Sequence, residues 1–243
     1  MQMPSVSLVI PCFNEEARIE RMFEGIQQFV TVWESDFEVI IVDDGSTDRS
    51  SEFIPNNPVF IALNRKGQIR YIEQENTGKG GALKKGVAIS SYDFILTLDA
   101  DMAAAPIQLL EWLFIRKMFH PHEILIGSRE LKTSVISEIT YRKFVGNIFN
   151  FIIRKATGLS IRDTQCGFKL YPSEIAKILF SILQTKGWAH DVELLVNGNK
   201  LGCSIVEMPI IWNAIEGSKI RVLRDSLRMF KDVMEIRKRN KIE

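Results

Sequence analysis

The 243-residue sequence has only three cysteines, Cys12, Cys166 and Cys203. They are too far apart, and odd in number, for a disulfide frame or a zinc cluster. No apolar run approaches the ~20 residues that a membrane span requires. The opening "MQMPSVSLVIP" has no basic start and a very short apolar stretch, so it is not expected to be a signal peptide. Net charge is +1, which gives no electrostatic footprint for nucleic acid. His120, His122 and His190 are too scattered to hold a metal and read as structural. No G-x-G-x-x-G follows the first strand, which argues against a dinucleotide. "GKGG" lacks both the upstream glycine and the Ser or Thr of a P-loop. What remains is the composition of an ordinary globular protein, 46% hydrophobic and 25% charged, long enough for one large α/β domain or two small ones. A reducing cytoplasm is the expected compartment.

Strand and helix patterns alternate along the chain. Ser5–Ile10, Phe37–Asp43, Ile69–Gln74, Asp93–Leu98 and Glu123–Ser128 read as buried strands. Between the first two, Ile19, Met22, Phe23, Ile26, Phe29 and Val30 repeat at helical spacing. Asn14 is the expected N-cap, and Glu15 and Glu16 suit the positive end of the helix dipole. Shorter helices are expected over 79–89 and 107–119. This order predicts an α/β fold: a mostly parallel sheet, helices on both faces, right-handed crossovers and a C-terminal helical extension.

Ligands bind such sheets at the carboxyl ends of the strands. There the sequence places "PCFNEE", "DDGSTD", "ENTGKGGA", "DAD" and "GSR", polar residues after five successive strands. Each alone passes for a solvated turn. Their coincidence at one edge does not. In "ILTLDAD" a strand runs into Asp99 and Asp101, either as a turn or as a pair of hard oxygen ligands for a metal.

Taken in order, "VIPCFNEEARI", "VIIVDDGSTD", "ENTGKGGALKKG" and "LDADMAAAP" resemble the family 2 glycosyltransferases, which use nucleotide-diphosphate sugars on a GT-A fold. The likeness is most specific over about the first 130 residues. It continues through "RDTQCGFKLY" and "GWAHDVELL", which look most like dolichyl-phosphate β-glucosyltransferases and related polyprenyl-phosphate enzymes. The resemblance implies a single GT-A domain: a nucleotide-sugar-binding half over 1–130, an acceptor-side half over 131–215 and a basic C-terminal helix over 216–243. It implies Mg²⁺ or Mn²⁺ at Asp101 and Asp99, with Asp101 the direct ligand and Asp99 sharing the metal or holding the ribose. Mannosyl members often carry a glutamine two residues after the second Asp. Here that residue is Ala103, which points to more metal-bound water. Pro11, Phe13 and Glu15 resemble the base and ribose wall, although Phe13 could be a core aromatic and Glu15 a simple dipole partner. Asp44, with Asp43 and Gly45 beside it, is placed to accept from uracil N3–H. Lys79 could reach the nucleotide, with Gly78 and Gly80 allowing close backbone approach.

The implied reaction moves a hexose, most simply glucose, with inversion from a UDP-sugar (a GDP-sugar is the lesser expectation) to a polyprenyl phosphate. That acceptor is already an anion near neutral pH, since a phosphate monoester's second pKa is ~6. It needs cations more than a base, and Arg129 and Arg142 are the candidates. A glycan hydroxyl, as in surface-polysaccharide synthesis, would need a base. Asp163 either supplies that base or orients the acceptor and its basic partners. A non-catalytic nucleotide-sugar-binding subunit is the third reading, against which the intact "DAD", "DDGS" and "RDTQCGF" argue. Asp191 and Glu193 form a weaker acidic pair that could equally cap a helix. From Tyr141 to Arg162 there are five basic residues and no acidic one, and from Lys219 to Glu243 nine basic against four acidic. In the first segment Phe144, Ile148, Phe151 and Ile152 fall on one helical face. Both segments suit either the plane of an anionic membrane or the core, so a peripheral position at the cytoplasmic membrane face is expected. Oligomeric state is not legible.

Overall fold

The computed structural model describes residues 3–137, 150, 152–213 and 222–241, the stretch 222–227 by its backbone alone. Seven strands form one sheet: β1 (Val6–Cys12), β2 (Phe37–Asp43), β3 (Ile69–Glu73), β4 (Phe94–Thr97), β5 (Glu123–Gly127), β7 (Lys169–Pro172) and β8 (Ser204–Met208). Their order is β3-β2-β1-β4-β7-β5-β8. Only β7 runs antiparallel to its neighbours, β4 and β5. A separate parallel ribbon pairs β6 (Val135–Ser137) with β9 (Ile211–Asn213).

The expected mostly parallel sheet is therefore found, with β2 at its anticipated bounds and the other four anticipated strands differing by a residue or two at their ends. β1 and β2 are near-continuous apolar runs because both faces are covered. Side chains alternate between the faces. Leu8, Ile10, Val39, Ile41 and Leu96 enter one core cluster, and Val9, Ile40, Val42 and Ile95 enter the other. On the first face α1 (Ile19–Val32) buries Ile19, Met22, Phe23, Ile26 and Phe29. It is joined there by α2 (Ser50–Asn56), α3 (Pro58–Arg65) and α5 (Leu109–Arg116). The second face is covered by α4 (Lys79–Ile89), α6 (residues 152–157), α7 (Ser173–Ser181), α8 (His190–Lys200) and α9 (Val222–Arg239).

One boundary changes. The helix anticipated over 107–119 starts as a 3₁₀ turn, Pro106–Gln108, and stops at Arg116 because Lys117 turns left-handed (φ 64°). The acceptor-side stretch is woven into the sheet: β7 lies between β4 and β5, and β8 closes the edge. β1 leads through α1 to β2 on one side, while β3 returns through α4 to β4 on the other. The order of winding thus reverses between the parallel strands β1 and β4, the point at whose carboxyl ends such sheets form a crevice. Among the described residues no helix is long and apolar enough to cross a membrane.

The seating of α4 on β1 and β2 depends on Gly86, where an added Cβ would overlap the Val9 Cγ1 methyl and lie 3.3 Å from Val42 Cγ2. Overpacking at such a contact costs ~1–3 kcal/mol. Gly86→Ala is expected to lower unfolding free energy by about that amount, read as a shift in denaturation midpoint at unchanged slope. A midpoint equal to that of the parent protein would contradict this packing.

Candidate active site

The loops after β1 and β2 lock each other. Asn14 does not cap α1. It sits in the left-handed region (φ 54°), and its Oδ1 accepts from the backbone N–H of Thr47 (2.7 Å) and Asp48 (3.3 Å). The capping comes from the other loop, because Asp48 Oδ2 accepts from Glu16 N–H and Ser50 Oγ from Glu15 N–H. Arg49 pairs with Glu16 across the gap. Glu15 forms an ion pair with Arg18 (2.6 Å), one turn into the helix entry. Phe13 is 39% exposed, so it belongs to the rim of the crevice and not to the core. Pro11 is partly buried at the end of β1, opposite Val42.

Asp43 and Asp44 are both buried, and each holds loop backbone. Asp43 accepts from Ser46 N–H and from the Tyr71 hydroxyl, both at 2.8 Å. Asp44 accepts from Thr77 N–H (2.8 Å), Gly78 N–H (2.7 Å) and Gln74 Nε2 (2.8 Å). The carboxylate read as a partner for uracil therefore also ties the glycine-rich loop to β2. Gly45 takes φ 75° and lies against Asn76 and Gln74. A cavity of about 340 Å³ opens here, lined by Asp43, Gly45, Ser46, Glu73 and Gln74 among others. Gly78 and Gly80 do permit a close backbone approach, but to the chain itself. A Cβ on either would strike the carbonyl of Lys186 or Thr185, at 2.5 and 2.7 Å. Their absence of side chains seats the start of α4 on the loop before α8.

That seating delivers Lys79 to the end of β4, where its Nζ is 2.5 Å from Asp99 Oδ1. Burial pulls the ammonium down, but Asp99 and Asp191 together outweigh it and hold Lys79 above its ordinary value. The other side of Asp99 is bounded by Gly167, where a Cβ would lie 2.5 Å from Oδ2. Asp101 accepts from Ala103 N–H (2.9 Å). Met102 between them is left-handed (φ 52°) and buried, its side chain packed on Gly25 of α1. Burial, then the charge of Asp99, raises the Asp101 carboxyl, while Lys79 and Arg18 oppose the rise.

Two close carboxylates, one of them destabilised by the other's charge, fit a hard divalent cation. Among the described residues no cluster of three or more His, Cys, Asp or Glu side chains forms a closed cage. Asp99 and Asp101 therefore suit Mg²⁺ or Mn²⁺, which bind through one or two carboxylates with water and phosphate filling the remaining positions.

Beyond β5, Arg129 clamps Asp163. Its backbone N–H (3.0 Å) and Nε (2.7 Å) donate to Oδ2, and Nη2 donates to Oδ1 (3.0 Å). Asp163 is 1% exposed; burial pushes its carboxyl up, but Arg129 more than reverses this and holds it below the usual range. Arg129 lies 4.9 Å above the Trp212 ring. Glu207 on β8 fixes the loop, accepting from the Ser128 hydroxyl and from the N–H groups of Arg162 and Asp163.

Asp191 and Glu193 begin α8 but do not cap it. Asp191 pairs with the fully buried Lys169 (2.7 Å), and Glu193 accepts from Thr185 N–H (2.8 Å) and from Arg239 of α9. Burial raises Asp191, but His190, Lys169 and Lys79 outweigh it and lower it to about 2. Burial keeps His190 below its ordinary value, so it is neutral near pH 7 with Nδ1 on the Gly187 carbonyl.

The structure thus brings Pro11, Phe13, Glu15, Asp43, Asp44, Gly45, Lys79, Asp99 and Asp101 to one edge, with the Arg129–Asp163 pair after β5, on the far side of β7. Arg142 lies outside the described residues, as do Phe144, Ile148 and Phe151. The described part of that basic segment turns Ile153 and Ala156 into the core. α9 likewise buries Val233 and Ile236, but it leaves Phe230 and Met234 exposed. Lys169, Arg18 and Glu207 were missed from sequence. Lys169 carried a signal, as a lysine at an inward position of a buried strand needs a partner.

The model of glycosyl transferase family 2 matches residues 7–180. Among curated proteins, dolichyl-phosphate beta-glucosyltransferases are similar over most of their length. That of Dictyostelium discoideum is 31% identical, covering 96% of this chain and 73% of its own, and that of Homo sapiens is 34% identical, covering 96% and 75%. Among solved structures, glucosyl-3-phosphoglycerate synthase from Mycobacterium tuberculosis in complex with Mn²⁺, UDP-glucose and phosphoglyceric acid superposes with a TM-score of 0.69. It is 20% identical, with 97% of this chain and 80% of that one covered, a likeness of fold.

Gly167→Ala is the substitution that tests the cradle around Asp99. The new methyl displaces the carboxylate, and misplacing a reacting geometry by ~1 Å costs on the order of 10²-fold. Turnover is expected to fall by about that factor while the thermal midpoint stays within a few degrees of the parent. Undiminished turnover would show that Asp99 does not need its present place.

Proposed function

The chain belongs to glycosyl transferase family 2, and from that premise we propose that it transfers glucose, with inversion, from UDP-glucose to a polyprenyl phosphate at a membrane surface. The relatives' activity on dolichyl phosphate, over nearly the whole chain, supports a lipid phosphate as acceptor. The observation that carries the choice is the state of Asp163. A buried carboxylate held by three donors from Arg129, with its acidity increased, is a weak proton acceptor. A hydroxyl acceptor needs such a base; a phosphate anion does not. Asp163 is then an orienting residue that fixes the Arg129 guanidinium, itself backed by Trp212, toward an anionic acceptor.

On the donor side, Asp101 and Asp99 would hold the divalent cation, which when bound would supply Lewis-acid stabilisation of charge developing on the departing diphosphate. Lys79 adds a second positive charge at the same place, moving from Asp99 to a phosphate oxygen when the donor binds. Pro11, Phe13 and Glu15 wall the nucleoside, and Asp44, with Asp43 and Gly45, holds the glycine-rich loop against it. With Ala103 in place of a further ligand, water completes the cation's shell. Arg142 is assigned with Arg129 to the acceptor phosphate. The exposed Phe230 and Met234 of α9, beside Lys231, Arg237 and Lys238, suit contact with the surface of a membrane that holds the acceptor.

The test follows labelled glucose from UDP-glucose into a short prenyl phosphate. Asp101→Asn is expected to abolish transfer, and a chelator to do so reversibly. Arg129→Ala should raise the acceptor KM well beyond any change in donor KM. Asp163→Asn should lose less than the ~10²–10⁴-fold expected of a missing general base. Labelled glycan with no labelled lipid would replace this reading by transfer to a hydroxyl.

A further inference from the structure

Lys169 is an ammonium with no exposed surface on β7, between apolar neighbours and paired in register with Thr97 at the end of β4. Its Nζ makes two described contacts. One is the 2.7 Å bond to Asp191 Oδ1, and the other donates to the Cys166 carbonyl, one residue before the Gly167 that bounds Asp99. Burying such a pair is often no more stabilising than apolar residues of the same volume, so stability alone is a poor account of it. The neighbourhood supplies a better one. Lys79 touches Asp99 and lies 5.7 Å from the ring of Trp188, three residues before Asp191, and the charges of Asp99, Asp191 and Asp101 all stabilise its ammonium. Asp191 is buried, and without a partner it would be the stronger magnet, since an unpaired charge in the interior costs several kcal/mol.

We infer that Lys169 is a positioning residue: by satisfying Asp191, the competing carboxylate, it keeps Lys79 on Asp99 and available to the donor. Its bond to the Cys166 carbonyl holds the turn on the other side of Asp99, so one ammonium steadies that carboxylate from both directions. The inference rests on the reading that Lys79 meets the donor diphosphate, and it adds a residue four strands of sequence away from it that decides where Lys79 points.

The logic predicts an asymmetry that a merely structural ion pair does not. Lys169→Met leaves Asp191 with only the neutral His190 beside it, Nε2 3.6 Å from Oδ1; Lys79 moves to it, and the UDP-glucose KM rises about tenfold or more with the acceptor KM within about twofold. Asp191→Asn removes the competitor, so donor KM stays within about threefold of the parent. The double variant, Lys169→Met with Asp191→Asn, returns donor KM to that same range, because the defect of the first needs the charge of the second. Should Lys169→Met yield too little folded protein, Lys169→Gln removes the charge while keeping an amide donor for the Cys166 carbonyl or Asp191, and a donor defect of the same direction and smaller size is expected. Titration calorimetry of UDP with Mn²⁺ on each variant gives the binding readout apart from turnover. Lys79→Ala separates the two layers. An unchanged donor KM there sinks the donor role of Lys79, whereas a raised one beside an unchanged KM in Lys169→Met overturns the role of Lys169 alone. Equal donor defects in both single variants, unrepaired in the double, also overturn it.

Discussion

The ion pair between Lys79 and Asp99 is the contact around which the site is organised. It joins the start of α4 to the end of β4, two elements that the sheet order brings together across its central crevice. Everything nearby serves to place one partner or the other. Asp44 ties down the loop that leads into Lys79, and Gly78 and Gly80 let that loop settle on the backbone of Thr185 and Lys186. Met102 packs into Gly25 and Gly167 makes room for the Asp99 carboxylate. The pair is also provisional in character. A lysine on a carboxylate beside a second, destabilised carboxylate suits the exchange proposed for it, in which a cation would take the carboxylates and an anion the lysine.

On the proposed reading, the acceptor side is built on a different principle. Arg129 and Asp163 neutralise each other with close to ideal fork geometry, and Glu207 fixes the backbone beneath them. Such a pair has strong orientation and little residual basicity. The donor side gathers charge to be exchanged, whereas the acceptor side holds a guanidinium at a fixed angle over Trp212. That division matches a reaction in which the nucleophile arrives already ionised.

Much of this was legible in the sequence because the signals are local. Continuous apolar runs marked β1 and β2, period-3.6 repeats marked α1, and polar clusters after each strand marked the edge where the candidate site lies. The family resemblance then assigned roles to positions that spacing could only gather. What sequence hid was long-range. Asn14 had the residue type of an N-cap, yet its carbonyl oxygen serves a loop more than thirty residues away, and Asp48 returns the favour to Glu16. The reversed β7 is four residues long, too short to carry a direction of its own. Lys169 and Asp191 are twenty-two positions apart, and only the fold, which sets the first turn of α8 beside the start of β7, makes them partners. Gly78 and Gly80 advertised close approach without saying to what.

The account is tested most directly by a crystal structure of the protein with Mn²⁺ and UDP, the ion located by its anomalous scattering. It predicts Mn²⁺ on Asp101 with Asp99 beside it, the diphosphate on the ion, and Lys79 Nζ moved from Asp99 to a phosphate oxygen. Mn²⁺ bound away from this pair, with Lys79 still on Asp99 and the diphosphate elsewhere, would contradict it.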